Sequence, residues 1–122
     1  YLAKLMKRYD QYNISMEEIH HTQKLDAPSG TAITLAEGIM EVLPRKTGWV
    51  NEPTDKKEEL PIISKRIDKV PGTHGISYES TIDNISITHT AHSREGFAKG
   101  ALAAAEWMVG KQGFYGMEDM LY

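Results

Sequence analysis

The spacing of the apolar residues changes along this chain, and that change limits what it can fold into. Ala32, Leu35, Ala36, Ile39, Met40 and Leu43 recur at the three- and four-residue intervals of one helical stripe, with Thr34, Glu37 and Glu41 off it. Pro44 stops that helix, since a proline ring has no N–H and clashes with the turn before it. Farther along, Ile85, Ile87, His89 and Ala91 alternate with Ser86, Thr88, Thr90 and His92, the two-residue period of a strand. A chain holding both periods has to lay helices on a sheet.

The remaining segments fit that frame. Leu2, Leu5, Met6 and Tyr9 predict a first helix ending near Asp10, and Ile14, Met16 and Ile19 predict a strand over 13–21. A loop follows over 22–29. Residues 46–61, with many charges and two prolines, read as a solvated loop. Strands are expected over 62–70 and 76–81, separated by Pro71-Gly72, with a turn at Asp83-Asn84. A last helix runs from about Glu95 to Val109, with Gly110 as its stop. The expected class is α+β: a mixed sheet covered by helices on one face, with the open face used for oligomerisation.

Composition narrows the partners. At 122 residues and 40% apolar content the chain can bury one modest core. A net charge of −3 without a basic run argues against nucleic acid, and no apolar run approaches a membrane span. No cysteine is present, so neither a disulfide frame nor thiolate chemistry is open, and a cytoplasmic home is expected. The chain begins at Tyr1 inside a helical pattern, which suggests a fragment of something longer.

Chemistry concentrates between Glu17 and Ala32, which reads EEIHHTQKLDAPSGTA. Ser29 is a helix N-cap candidate, and the N–H groups after it have no intrahelical acceptor. Such an end binds anions, carboxylates included. Gly30 allows close approach, Thr31 adds a hydroxyl, and Lys24 adds a full charge across a short loop. His20 and His21 would point to opposite faces if both lay on a strand. Singly, each feature has a plainer origin: a common helix start, a polar strand end, a solvated lysine, or Asp26 capping the turn before Pro28. Their clustering favours an anion-binding loop. His20, His21, His74, His89 and His92 lack the spacing of a metal site, so no metal is expected.

The stretch from Glu18 to Thr31 also resembles the signature of the dihydrodipicolinate reductase family, E-x-H-H-x-x-K-x-D-A-P-S-G-T, without departure in its core positions. Val70-Pro71-Gly72-Thr73, Ile87-Thr88-His89, Ser93-Arg94 before Phe97, and Ala104-Ala105-Glu106-Trp107-Met108 continue the likeness in order, over essentially the whole chain. Two departures stand out. The glycine-rich dinucleotide loop of the family's Rossmann half is missing, and the connection from Ser80 to Asn84 is short.

The resemblance implies the substrate-binding and catalytic-acid half of an NAD(P)H-dependent reductase acting on a cyclic dicarboxylate in lysine and diaminopimelate synthesis. It assigns proton donation to His20 or Lys24, carboxylate binding to His21, Lys24, Ser29, Gly30 and Thr31, and hinge contacts at the cofactor to Arg94 and Phe97. NADH or NADPH would belong to the full-length enzyme, with none expected on this chain and no reductase activity from it alone. The implied division is 1–12, a helix and linker leaving the cofactor domain; 13–93, substrate binding and oligomerisation; and 94–122, a helix and tail packing on the cofactor domain. Leu2, Leu5, Met6, Trp107, Phe114 and Tyr115 are therefore expected to be more exposed than their types suggest. Seven isoleucines (62, 63, 67, 76, 82, 85 and 87) are more than one covered face needs, and so point to a homotetramer through the sheet. The alternative is a stand-alone carboxylate-binding or oligomerisation module.

Overall fold

The structure is a computed structural model that describes all 122 residues. In chain order the elements are α1 (Leu2–Met6), β1 (Asn13–His20), α2 (Gly30–Val42), β2 (Gly48–Val50), β3 (Glu59–Arg66), β4 (Gly72–Glu79), β5 (Asn84–Ala91), α3 (Glu95–Trp107) and α4 (Met117–Leu121). The five strands form one mixed sheet in the order β2-β3-β1-β4-β5. β3 runs parallel to β1 and β2, whereas β4 runs antiparallel to β1 and β5. The chain divides into two units, Tyr1–His92 and Ser93–Tyr122. No helix is long and apolar enough to cross a membrane.

The core of the first unit follows from strand parity. Ile14 and Met16 of β1, Leu60 and Ile62 of β3 and Tyr78 of β4 are buried together with Ala32, Ala36, Ile39 and Leu43 of the α2 stripe. Register explains the grouping: Met16 lies beside Ile62 on one side and Ile76 on the other, and Ile14 lies opposite Tyr78. Paired residues share a face, so one row after another packs under α2. Burying such side chains stabilises the unit by about 1.5–3 kcal/mol each relative to exposure.

Three expectations are corrected. The segment 46–61 is not simply a solvated loop: β2 lies within it and β3 begins there. Its polar residues serve the backbone. Lys46 Nζ donates to the Lys57 and Glu59 carbonyls at 2.7 and 2.8 Å, and Asn51 Nδ2 donates to the Ile62 carbonyl at 2.8 Å. Second, α1 is not left bare. It ends at Met6 rather than near Asp10, Ala3 and Met6 are buried, and Leu2 packs against the core, although Leu5 is exposed. Third, the isoleucines do not build a second apolar face. By register Ile62, Ile76, Ile85 and Ile87 all lie on the α2 side, and Ile85 and Ile87 stay exposed on the edge strand beyond the helix. On the opposite face β4 and β5 pair hydroxyl side chains, Thr73 with Thr90 and Ser77 with Ser86, the latter hydroxyls 2.9 Å apart, while β1 and β3 place Glu17, Ile19, Ile63 and Lys65 there.

In the second unit α3 begins at Glu95 as expected but ends at Trp107 rather than Val109, ahead of Gly110 at φ +78°, a conformation glycine adopts without steric cost. The Trp107 ring meets Tyr115 edge-on at 5.3 Å, and Lys111 lies over Trp107 at 4.4 Å. Trp107 is half-buried, whereas Tyr115 and Phe114 are exposed. The short helix α4 has no counterpart in the sequence reading.

Candidate active site

The row of residues next to the apolar core on the same sheet face is polar. One pleat beyond Met16 comes Glu18, with Ser64 beside it on β3 and His74 beside it on β4. One pleat farther, His20 lies beside Arg66. The chain leaves β1 there, turns through 21–29, and starts α2 at Gly30. The C-terminal end of β1 and the N-terminal end of α2 thus share one polar pocket wall.

Glu18 is its hub. Its side chain is 0% exposed, and a bare carboxylate there would be costly. Arg66 supplies a forked pair of bonds, Nη2 to Oε1 at 2.9 Å and Nη1 to Oε2 at 3.1 Å. The Ser29 N–H donates to Oε1 at 3.2 Å, and the His20 Nδ1 meets Oε2 in a short contact. Burial alone would raise the Glu18 pKa, but donors from Arg66 and His20 reverse the sign and hold it below the ordinary carboxylate value. Arg66 also donates to the Asp26 carbonyl at 2.6 Å, which ties the turn to the sheet.

Ser29 caps α2 as expected: its Oγ accepts the Ala32 N–H at 3.2 Å and lies 3.0 Å from His74 Nε2. Ser29 is itself buried, so its groups face the protein. Gly30 and Thr31 are exposed, and their N–H groups are the first donors of the helix with no acceptor in the chain. Lys24 Nζ pairs with Asp26 at 2.9 Å, which lowers the Asp26 pKa. The charge of Lys24 also reaches His74. Burial, then the His20 ring, push the His74 pKa down against the opposing pull of Glu18, with smaller downward pushes from His89 and Lys24. His74 meets the His20 ring edge-on at 5.1 Å.

His20, Lys24, Ser29, Gly30 and Thr31 are therefore neighbours around one helix start. His21 lies just past the end of β1, half-buried, with its carbonyl accepting the Lys24 N–H and its ring outside the network. Arg94 and Phe97 belong to the second unit, where Arg94 precedes α3 and Phe97 is exposed on it. Glu18, Arg66 and His74 received no role from the sequence. The available signal was parity: Glu18 continues the inward set of Ile14 and Met16, and a buried carboxylate demands a cation. Which cation answers it depends on strand register, which the sequence does not give.

The chain matches the model for "Dihydrodipicolinate reductase, C-terminus" over residues 1–121. It belongs to the dihydrodipicolinate reductase family. A 4-hydroxy-tetrahydrodipicolinate reductase of Christiangramia forsetii is 52% identical over 98% of this chain and 50% of its own length. That of Aquifex aeolicus is 42% identical over 98% of the chain and 46% of its own length. A solved structure described as dipicolinate-bound dihydrodipicolinate reductase from Paenisporosarcina sp. TG-14 superposes with a TM-score of 0.69 at 31% identity, covering 98% of this chain and 48% of that one. The chain thus spans about half the length of the dihydrodipicolinate reductases it matches, and the half it matches is the C-terminal one.

Proposed function

We propose that this chain is the substrate-binding and proton-donating half of an NAD(P)H-dependent 4-hydroxy-tetrahydrodipicolinate reductase of lysine and diaminopimelate synthesis, working in the cytoplasm as a homotetramer assembled through the sheet. One observation carries the reading. The unpaired Gly30 and Thr31 N–H groups open α2 beside Lys24 and the His20–His74 pair, in a chain similar to a reductase described with dipicolinate bound. A ring dicarboxylate matches that set: N–H donors and a helix dipole for one carboxylate, an ammonium for charge, and an imidazole for a proton.

The nicotinamide cofactor does not fit on the residues present. The β1-to-α2 connection carries Pro28-Ser29-Gly30 where a dinucleotide fold needs its glycine-rich turn, so this stretch holds the substrate and moves a proton. On binding, a substrate carboxylate competes with Asp26 for Lys24. His20 or Lys24 then delivers the proton as negative charge grows on the ring. His21, Ser29 and Thr31 complete the carboxylate pocket, and Arg94 and Phe97 serve the hinge toward the cofactor. The exposed Ile85 and Ile87 on edge strand β5 support assembly between copies.

The test is made in the full-length enzyme. Lys24→Ala is expected to lower kcat by about 100-fold or more and to weaken binding, as removal of an acid or a fixed charge does. Thr31→Val should act mainly on KM, since it deletes one ground-state contact. If Lys24→Ala leaves kcat/KM near the parent value, the role given to Lys24 is wrong. Dipicolinate titrated onto the chain should move the amide resonances of Gly30 and Thr31 first, and light scattering should find more than one copy.

A further inference from the structure

We infer that Glu18 is a positioning residue: it fixes His20 as the Nδ1–H tautomer and so makes Nε2 the ring atom that exchanges a proton in the pocket. This rests on the role proposed above for His20, and it adds a residue that faces only protein.

The argument is a hydrogen-bond count. Glu18 is fully buried and ionised, so every partner it has must donate. Arg66 donates through both Nη atoms and Ser29 through its N–H, and neither has an alternative. The fourth contact, from the third partner, is His20 Nδ1, which must therefore carry hydrogen. A neutral imidazole has one N–H, so Nε2 is left as the bare, accepting nitrogen. That atom is not sealed in. No buried side-chain nitrogen or oxygen lacks a partner, and Nε2 has none, so solvent reaches it.

Gly72 keeps the space beside Nε2. A Cβ at residue 72 would lie 3.2 Å from Nε2 and 3.5 Å from Cδ2, close enough to press on the ring. In the charged ring both nitrogens carry hydrogen. When Nε2–H gives its proton to the substrate, Nδ1–H stays bonded to Glu18, and the ring leaves the exchange neutral and in the same orientation. The charged groups around the ring are Glu18 from β1 itself and Arg66 from β3, with the titratable His74 on β4.

Long-range 1H–15N spectra of the histidine rings, at a pH where they are neutral, read the tautomer directly. The expected result is hydrogen on His20 Nδ1 and a bare Nε2. In Glu18→Gln the amide oxygen should take the Oε1 position, where the Ser29 N–H and Arg66 Nη2 both donate and neither can accept. The NH2 then faces His20, and the tautomer should switch to Nε2–H. Glu18→Asp should restore the Nδ1–H form at least in part. A parent spectrum showing Nε2–H overturns the inference, and needs no variant that must fold. Retention of Nδ1–H in a folded Glu18→Gln protein does the same.

In the full-length enzyme Glu18→Gln should lower kcat by about tenfold or more with a smaller change in KM, as loss of an orienting partner does. A parental kcat with a switched tautomer removes the positioning role. If the parent enzyme shows no reductase activity at all, the reading of function fails while the tautomer still decides the role of Glu18.

Discussion

One face of one sheet holds two adjacent rows, each with a fully or nearly fully buried residue on β1, that are built differently. The row Ile62–Met16–Ile76 packs under α2 through apolar contact, and the next row, Ser64–Glu18–His74, is held by matched donors and acceptors. They are one pleat repeat apart, about 7 Å along β1. In the first row any apolar side chain of the right volume would serve, because the hydrophobic term is non-directional. In the second, Glu18 is satisfied by Arg66, Ser29 and His20, and His74 by Ser29, so removing one partner strands its neighbour. The same backbone carries apolar packing up to Met16 and a hydrogen-bonded polar network from Glu18 onward.

The largest break in this comparison should come from Arg66→Met. It leaves Glu18 buried without its cation, and loss of one partner from such a pair costs about 3–5 kcal/mol. Equilibrium urea unfolding measures it. Adding Glu18→Met in the same chain should recover much of that loss, since two apolar residues need no partner. If the single change costs under about 1 kcal/mol, Glu18 is not the hub described above.

That asymmetry also explains what the sequence disclosed. The α2 stripe and the alternation in β5 were legible because burial in an apolar row depends on each residue's own type. The cluster from Lys24 to Thr31 was legible, since a helix start and a lysine are local features. Arg66 and His74 were not. Their part depends on lying beside His20 and Glu18, and pairing across strands is set by register rather than by nearby sequence. β2 and the start of β3 were hidden for a related reason: Pro61 and the surrounding charges argue for a loop, yet Lys46 and Asn51 answer the backbone carbonyls there.

A next effect should appear as pH falls. The His74 pKa is lowered from 6.5 on folding, so the unfolded chain takes up the proton first. The stability tied to a neutral His74 is present above pH 6.5 and is lost as pH drops below it toward the folded value. The slope for one proton is at most about 1.4 kcal/mol per pH unit. Glu18, also lowered, adds its loss only below its ordinary 4.5. His74→Gln should flatten the upper stage and leave the lower one. In the apolar row Ile62→Val should cost about 0.5–1.5 kcal/mol at every pH in this range, because nothing it touches titrates.

The smallest effect is expected at the far end of the apolar row. Ile87 lies beside Ile76 in register, yet it is 56% exposed because β5 is an edge strand beyond the cover of α2. Ile87→Thr keeps the β-branch that suits a strand and exchanges the outward ethyl arm for a hydroxyl, so on this exposed position within a single copy it should cost less than about 0.5 kcal/mol. Concentration then separates two causes. If copies assemble over this edge, the unfolding midpoint of the parent rises with protein concentration by mass action, and Ile87→Thr should reduce that rise while leaving the dilute midpoint alone. Urea unfolding at two concentrations about 100-fold apart is the measurement. A loss near 1 kcal/mol in the dilute sample would place Ile87 in the packed interior, and the apolar row would then extend across the whole sheet rather than ending at Ile76.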